Sequence, residues 1–572
     1  MASSSGTALR TDPHGIDAAV DRVRAGARSW AQLAIGKRIS LARSIHAGIA
    51  RVAEGMVRTA ATAKGMPEGS PVVGEEWTAS PYVILRVLNQ LVDSLQSLDA
   101  RGVTPLGKRG ATVDGRLTAR VFPADRLDWA LYGPLGLSGE VHLESGTDDA
   151  VLDATRGRFH RSPWHEGTTC AVLGAGNVNS IPAVDVLTKM FNEGKVCVLK
   201  MNPVNAYLGP FFEEAFADAI SAGWLQIVYG GADEGELLVH HPGIDEVHIT
   251  GSDRTHDLIV WGPPGPERAA RMTRNEPLLR KEITSELGNI TPVMVVPGPW
   301  SGREVDLQAV NVAGMLTQNA SFNCIAGKLL VLPRGWKHRE RFLARLTRIL
   351  RVTPARTGWY PGAQQRWDAF VAGRAGVQRL GEAPGVIPWA IAPGLDATDP
   401  AERAFREEAF CAVLGETSIG SEDPHEFLDA AVQFANERLW GTLAAALIVH
   451  PRTQRDSSTG PAVERAIVAL RYGTVCVNVW PGMAFAIGTL PWGAYPGATL
   501  TNIQSGRGWT HNTRMLEGVE KAVLRGPVRT LVKLPYLPHH RTLDMMGRRL
   551  TRLAASNSWK DLPGVLATGL LA

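Results

Sequence analysis

The chain has 572 residues and a mass of 61.6 kDa, several times a usual domain of roughly 100–200 residues, which predicts two to four domains. Hydrophobic residues make up 44% and charged residues 20% of the sequence, a balance that excludes a disordered, collagen-like or coiled-coil chain. The net charge is only +4 and the two signs are interspersed, so nucleic acid is not an implied partner.

Residues 1–26 are rich in Ser, Gly and Asp and read as loose, with no apolar stretch of the kind a secretory leader carries. From about Ala27 to Leu98, apolar residues alternate with Arg and Glu at spacings that suit amphipathic helices. From Thr168 the texture changes to short β-branched runs alternating with longer amphipathic segments: TTCAVLG, VDVLTKMFNEG, KVCVLK, FFEEAFADAISAG, LQIVYGG and IDEVHITGS. Strand and helix in alternation predict a parallel α/β sheet. A second series follows with ITPVMVVPG, KLLVLP, RERFLARLTRIL, GTLAAALIVHP and GTVCVNVW, which predicts a second α/β unit. Gly/Pro-rich stretches at 262–266 and 383–398 read as surface loops. No run approaches the ~20 apolar residues of a membrane span, and the expectation is a soluble, cytoplasmic protein.

Chemistry is suggested at a few points along this frame. Gly174-Ala175-Gly176-Asn177 follows a strand and begins like a dinucleotide-binding turn, but Asn179 stands where a third glycine belongs. On these residues alone a tight strand-to-helix turn is the favoured reading. The five cysteines include no CxxC pair, which points to a reducing compartment and to neither disulfides nor a metal site. Cys170, Cys197, Cys411 and Cys476 lie in apolar runs, where free cysteine is a small buried hydrophobe. Cys324 instead follows the small, polar stretch Thr317–Asn323, a setting in which backbone amides can stabilise a thiolate. Glu286, 38 residues upstream in the sequence, sits between a strand and Gly288. Alone it reads as a solvated cap; beside a cysteine nucleophile it is a carboxylate able to activate water.

SELGN-TP (285–292) followed by NASFNCIAGK (319–328) resembles the paired glutamate and cysteine motifs of the NAD(P)-dependent aldehyde dehydrogenase superfamily. Five further stretches fall in that family's order: GKVCVLKMNP (194–203), IDEVHITGS (244–252), REEAFCAV (406–413), LWGTLAAALIVHP (439–451) and the segment 473–497. The likeness runs from about Thr168 to Arg525. It implies an α/β fold of two parallel-sheet domains, a Rossmann-like cofactor domain and a catalytic domain, with a small oligomerisation arm. The corresponding boundaries are a helical N-terminal region (1–120), a nucleotide-binding domain (121–285), a catalytic domain (286–480), a return to the cofactor domain with the arm (481–530) and a C-terminal extension (531–572).

The resemblance also implies roles. Cys324 is the nucleophile, Glu286 activates the deacylating water, and Asn177, which falls 23 residues before Lys200 as in the family, donates to the oxyanion. Lys200, Gly231, Gly235, Gly251, Ser252, Leu287, Gly288, Glu408 and Phe410 surround the cofactor, NAD or NADP with NAD favoured. An aldehyde substrate and a homodimer or homotetramer are the implied partners.

There are departures from the family pattern. Gly288-Asn289-Ile290 stands where Gly-Gly-Lys is usual. Pro203 occupies a position where a ribose-binding glutamate is common, and it neither accepts hydrogen bonds nor repels a 2′-phosphate. A CoA-acylating aldehyde dehydrogenase or acyl-CoA reductase of the same fold is a rival reading, as is a non-catalytic descendant. Glu286 argues against the first, and the retention of Asn177, Glu286 and Cys324 together argues against the second. Residues 126–146 resemble nothing in the family and read as an oligomerisation hairpin or a substrate-tunnel wall, while 531–572 carry no readable role.

Overall fold

The computed structural model describes residues 9–162, 166–530 and 532–572. The first β-branched series forms a six-stranded sheet. Strand Thr169–Leu173 is flanked on one side by Val196–Lys200 and Leu225–Val228, and on the other by Glu246–Thr250 and Glu282–Glu286, all parallel. Helices cover both faces, which is why Val196–Lys200 is buried at every residue and reads as a continuous apolar run. The chain first winds outward from Thr169–Leu173 in one direction and then returns to build in the other. This reversal opens a crevice at the strands' carboxyl ends, the usual place for a ligand in such a sheet. Leu173, Lys200, Thr250 and Glu286 are the last residues of their strands, so the sheet brings together positions far apart in sequence.

The second series builds an eleven-stranded sheet. Its centre is parallel, running Val519–Arg525, Thr474–Val477, Ala444–Ile448, Thr291–Val295, Gly327–Pro333, Val413–Ile419 and Trp389–Leu395. Several features differ from the sequence expectation. Part of the stretch read as a surface loop at 383–398 is the strand Trp389–Leu395, whose Trp389 and Ile391 are buried in the core. The strands Leu117–Phe122 and Ser138–Leu143 belong to this sheet and not to the nucleotide sheet, because Ser138–Leu143 pairs antiparallel with Val519–Arg525. The strand 519–525, expected in an arm reaching a neighbouring subunit, therefore has both edges taken within its own chain. The short strand Gly506–Arg507 pairs with Glu282–Glu286 across the two sheets' territory.

Helices from both ends of the chain close over the first sheet. The helix Pro13–Ala31 begins inside the region expected to be loose. Asp12 caps it by accepting from the Gly15 amide, Pro13 supplies the preset first turn, and Ile16, Val20, Val23 and Trp30 form a buried stripe. Ile35–Ala63 and Pro81–Arg101 pack beside each other, the C-terminal helix Leu543–Ser556 docks on them and on the short helix Gly74–Ala79, and Leu562–Leu570 packs on Leu543–Ser556. That docking is close enough to require glycine. A Cβ on Gly74 would stand 2.3 Å from the Leu543 carbonyl carbon, and one on Gly547 2.5 Å from the Trp77 Cβ. Among the described residues no helix is long and apolar enough to cross a membrane.

Gly74→Ala is expected to lower stability by about 1–3 kcal/mol, because forcing helix backbones apart outweighs alanine's better helix propensity. The shift of the denaturant midpoint at unchanged m-value measures it; an unchanged or raised midpoint would show that the C-terminal helices are not held at this crossing.

Candidate active site

All twelve residues singled out from the sequence line one cleft of about 1140 Å³ at the carboxyl ends of the six-stranded sheet. At its inner end lies Cys324, the one free cysteine among the described residues that is not buried. Its thiol donates to Glu286 Oε1 over 3.2 Å. Glu286 ends the strand Glu282–Glu286 and is 3% exposed. Burial, reinforced by the nearby Asp185 carboxylate, pushes Glu286 up to about 7, with the hydrogen bond from Cys324 pulling in the other direction. Burial also pushes the Cys324 thiol well above the usual thiol range, and the Glu286 and Glu408 carboxylates add to this.

The loop before Cys324 has an unusual backbone. Asn319, Ala320 and Ser321 take φ of 53°, 54° and 70°, left-handed values that cost a residue with a Cβ about 1–2 kcal/mol. Two buried lysines hold it. Lys328 Nζ donates to the Ser321 carbonyl at 3.0 Å, the Ser321 hydroxyl at 2.6 Å and the Cys411 carbonyl at 2.8 Å. Lys64, at the end of the helix Ile35–Ala63, donates to Glu76 Oε1 at 2.7 Å and Asn319 Oδ1 at 3.1 Å. The Asn319 amide then donates to the Asn177 carbonyl at 2.9 Å and the Phe322 carbonyl at 3.1 Å, and Asn177 Nδ2 donates to the same Phe322 carbonyl at 3.1 Å. Asn179 closes the ring by donating to Glu76 Oε2 at 2.8 Å. One polar network thus ties the N-terminal helices, the Gly-Ala-Gly turn and the cysteine loop together. The turn itself needs Gly176, since a Cβ there would lie 2.6 Å from Asn202 Oδ1.

Residues 156–361 match the aldehyde dehydrogenase family. Over that segment the chain is similar to the aldehyde dehydrogenase family. It is 24% identical over 339 residues to an N-succinylglutamate 5-semialdehyde dehydrogenase of Ectopseudomonas mendocina (strain ymp), a match covering 58% of this chain and 54% of that protein. It is 30% identical over 103 residues to 4-trimethylaminobutyraldehyde dehydrogenase A of Danio rerio, 18% of each chain. The chain therefore spans about half the length of the first relative and less of the second. Among solved structures, an NADP-dependent glyceraldehyde-3-phosphate dehydrogenase from Bacillus halodurans C-125 complexed with NADP superposes with a TM-score of 0.59 at 16% identity, over 90% of this chain and 92% of that one. An NAD-dependent aldehyde dehydrogenase from Sinorhizobium meliloti gives 0.58 at 18%, over 92% and 88%. At these identities the likeness establishes the shared fold.

The outer cleft carries polar groups with few or no protein partners among the described residues. Glu408 Oε1 is buried and unpartnered among the described residues, and burial pushes the carboxyl up to about 8. Its other oxygen leaves no room for a side chain at Gly288, where a Cβ would stand 2.1 Å away. Arg366, which the sequence reading passed over, also lines the cleft with a buried, unpartnered Nη2. Phe410, at φ 41°, packs edge-on to Tyr360 with ring centroids 5.0 Å apart. At the far end Lys200 Nζ reaches only the Met201 carbonyl, at 3.5 Å. Gly235 leaves its Cα open to the Lys200 stem, Gly231 precedes the helix Ala232–His240, and Ser252 caps the helix Asp253–Trp261 by accepting from the Thr255 amide. An orphan acceptor, an orphan donor and an ammonium with protons to spare along one cleft suit a dinucleotide, whose ribose hydroxyls both donate and accept.

Lys64 and Glu76 had no sequence signal: a lysine at a helix end reads as solvated, yet both side chains are 3% exposed. Lys64→Met, which leaves Glu76 buried and unpaired, is expected to cost about 3–5 kcal/mol, while pairing it with Glu76→Gln recovers part of the loss. Denaturant unfolding of the two single variants and the double variant checks this; additive losses would show that the two groups do not form a coupled pair.

Proposed function

We propose that the protein oxidises an aldehyde to a carboxylate with NAD or NADP as acceptor, through a covalent intermediate on Cys324. The observation that carries the reading is the 3.2 Å contact between the Cys324 thiol and a buried carboxylate poised near neutrality, Glu286, at the inner end of the cleft. Because the thiol's own ionisation is unfavourable there, its proton passes to Glu286 Oε1 as sulfur attacks the aldehyde carbon. The resulting oxyanion accepts from the Asn177 side-chain amide and the Cys324 backbone N–H, both set by the rigid loop. When bound, the nicotinamide supplies the hydride acceptor that turns the thiohemiacetal into a thioester. Glu286 then releases that proton to solvent and takes a second one from water as the water oxygen attacks the thioester carbon; the carbon–sulfur bond breaks, Glu286 returns its proton to the sulfur as the thiol, and the acid leaves as carboxylate with its proton going to solvent.

The cofactor's ribose hydroxyls are assigned to Glu408 and Arg366 at one end and to Lys200 at the other. Its phosphates are assigned to the amino-terminal end of the helix Asp253–Trp261 at its cap Ser252, beside Gly251, whose own amide donates to the Glu286 carbonyl at 3.0 Å. Gly231 and Gly235 admit the adenosine beside Lys200, while Leu287, Gly288 and Phe410 shape the nicotinamide end. Water is the acyl acceptor in this reading because Glu286 is present, buried and near the cysteine, which CoA-dependent acyl transfer does not call for.

Glu286 must be ionised to act as base, so steady-state turnover is expected to rise with pH through a midpoint near 7. Assay of aldehydes with NAD or NADP, with and without CoA, by absorbance of the reduced cofactor tests the reading. Turnover is expected without CoA and lost in Cys324→Ala, and Glu286→Gln is expected to lower it by ~10²–10⁴-fold and flatten the pH profile. Undiminished activity in Cys324→Ala, or an absolute requirement for CoA, would overturn it.

A further inference from the structure

A second cavity, of about 160 Å³, meets the cofactor cleft at Cys324 and Ile181. Parts of its wall come from the stretch 126–146, read from the sequence as an oligomerisation hairpin or a substrate-tunnel wall, and from the C-terminal extension, which carried no readable role. Leu131 and Tyr132 belong to the stretch 126–146, while Met546, Leu550, Val565 and Leu566 come from the C-terminal helices. Leu566 is 42% exposed while lining the cavity, so the opening to solvent lies beside the helix Leu562–Leu570. That helix is pinned to its neighbour by Arg549 Nη1, which donates to the Gly564 carbonyl at 2.5 Å and the Thr568 hydroxyl at 2.6 Å. The neighbour in turn is pinned to the N-terminal helices, where Asn89 Nδ2 donates to the Ala554 carbonyl at 2.7 Å and Trp77 Nε1 to Asp544 Oδ1 at 3.1 Å.

The polar groups on the cavity wall are satisfied by the protein. Lys64 is bound to Glu76, Glu75 to Arg356 at 3.0 Å, and the Tyr82 and Tyr132 hydroxyls to each other. Lys533 donates to the His539 carbonyl at 2.6 Å and is the lining cation that has no carboxylate partner among the described residues. Asn179 and Asn319 belong to the Lys64–Glu76 network, Asn323 donates to the Gln318 carbonyl at 3.1 Å and Thr78 to the Gly74 carbonyl at 2.9 Å. Most of the other lining residues are aliphatic or aromatic, so a charged tail would give up its water for a wall that returns few hydrogen bonds. An apolar cavity of about 150 Å³ holds a benzene ring, which sets the scale of what fits.

We propose that the substrate is an aldehyde with an uncharged, apolar body of about the size of one aromatic ring, and that the C-terminal helical pair is the wall that selects it. The proposal rests on Cys324 as the nucleophile, since it places the aldehyde carbon at the point where cavity and cleft meet. The body then fills the space between Leu131, Trp480 and Leu550, and the helix Leu562–Leu570 separates it from solvent. Larger or carboxylated aldehydes are disfavoured by the same wall, the first by volume and the second by desolvation.

Two measurements on the full chain test this. In turnover with NAD or NADP, hexanal and benzaldehyde are expected to exceed acetaldehyde and succinic semialdehyde by at least ~10-fold in kcat/KM, the scale set by a few methylenes in an apolar pocket. Val565→Trp, which fills the cavity, is expected to lower the hexanal-to-acetaldehyde ratio by ~10-fold or more through KM, with folding checked by the melting temperature and by nucleotide binding. Preference for succinic semialdehyde that disappears in Lys533→Gln would overturn the proposal, because it would make Lys533 the anchor of an anionic tail. An unmoved ratio in a folded Val565→Trp protein would also overturn it. Independently of turnover, hexanamide is expected to slow alkylation of Cys324 by iodoacetamide, followed by intact mass, while succinamate does not. Protection without turnover of any aldehyde would leave the cavity's preference standing and refute the dehydrogenase reading; equal protection by both amides would refute the preference itself.

Discussion

The site depends on holding a strained backbone rigid. Three successive left-handed residues before Cys324 would relax if nothing opposed them, and the opposition comes from two ammonium groups taken out of water. Lys328 belongs to the strand that follows the cysteine, while Lys64 arrives from a helix more than 250 residues earlier and brings Glu76 with it. Burying such groups is unfavourable unless every proton finds an acceptor. Here the acceptors are the loop's own carbonyls and amide oxygens, so the requirement to satisfy the charges is also what fixes the loop. The N-terminal helices are in this sense part of the active site even though none of their residues is placed at the reacting atoms.

The same arrangement explains how two sheets with separate cores converge on one thiol. The parallel strands of the first sheet end at Leu173, Lys200, Thr250 and Glu286 and open the crevice. The second sheet carries Cys324 on the loop leading into Gly327–Pro333. The two are joined where Asn177 and Asn319 share the Phe322 carbonyl. Glu286, kept dry, is poised near neutrality, and that same dryness keeps the thiol protonated until a base is in reach. Burial thus raises both groups, and their 3.2 Å separation converts two unfavourable ionisations into one proton transfer.

The sequence was legible where chemistry is local. The strand and helix alternation from Thr168 onward is a matter of short-range periodicity, and it appears as read. Cys324 and Glu286 were legible through their flanking motifs, and Asn177 only through its spacing from Lys200. What stayed hidden depends on distant pairing. Nothing local distinguishes Lys64 from a solvated lysine, or Arg366 from a surface arginine. Strand 519–525 looks the same whether its edge partners come from its own chain or another, and register is decided by which strands are available. Residues 531–572 carried no readable role, because their helices become a cavity wall only against residues from 64–135, 178–181, 318–325 and 480–487.

The central claim is that carbon–sulfur bonding at Cys324 precedes hydride loss, with Glu286 serving the release of the acyl group. Rapid acid quench of Glu286→Gln protein mixed with an apolar aldehyde and the nicotinamide cofactor at alkaline pH, where hydroxide replaces Glu286 in taking the thiol proton while the acyl group still lacks its water-activating base, followed by peptide mass mapping, tests it directly. The account requires one acyl group per chain on the peptide containing Cys324, with one equivalent of reduced cofactor formed. Reduced cofactor in that amount with Cys324 unmodified, or with the acyl group on another cysteine, would contradict it.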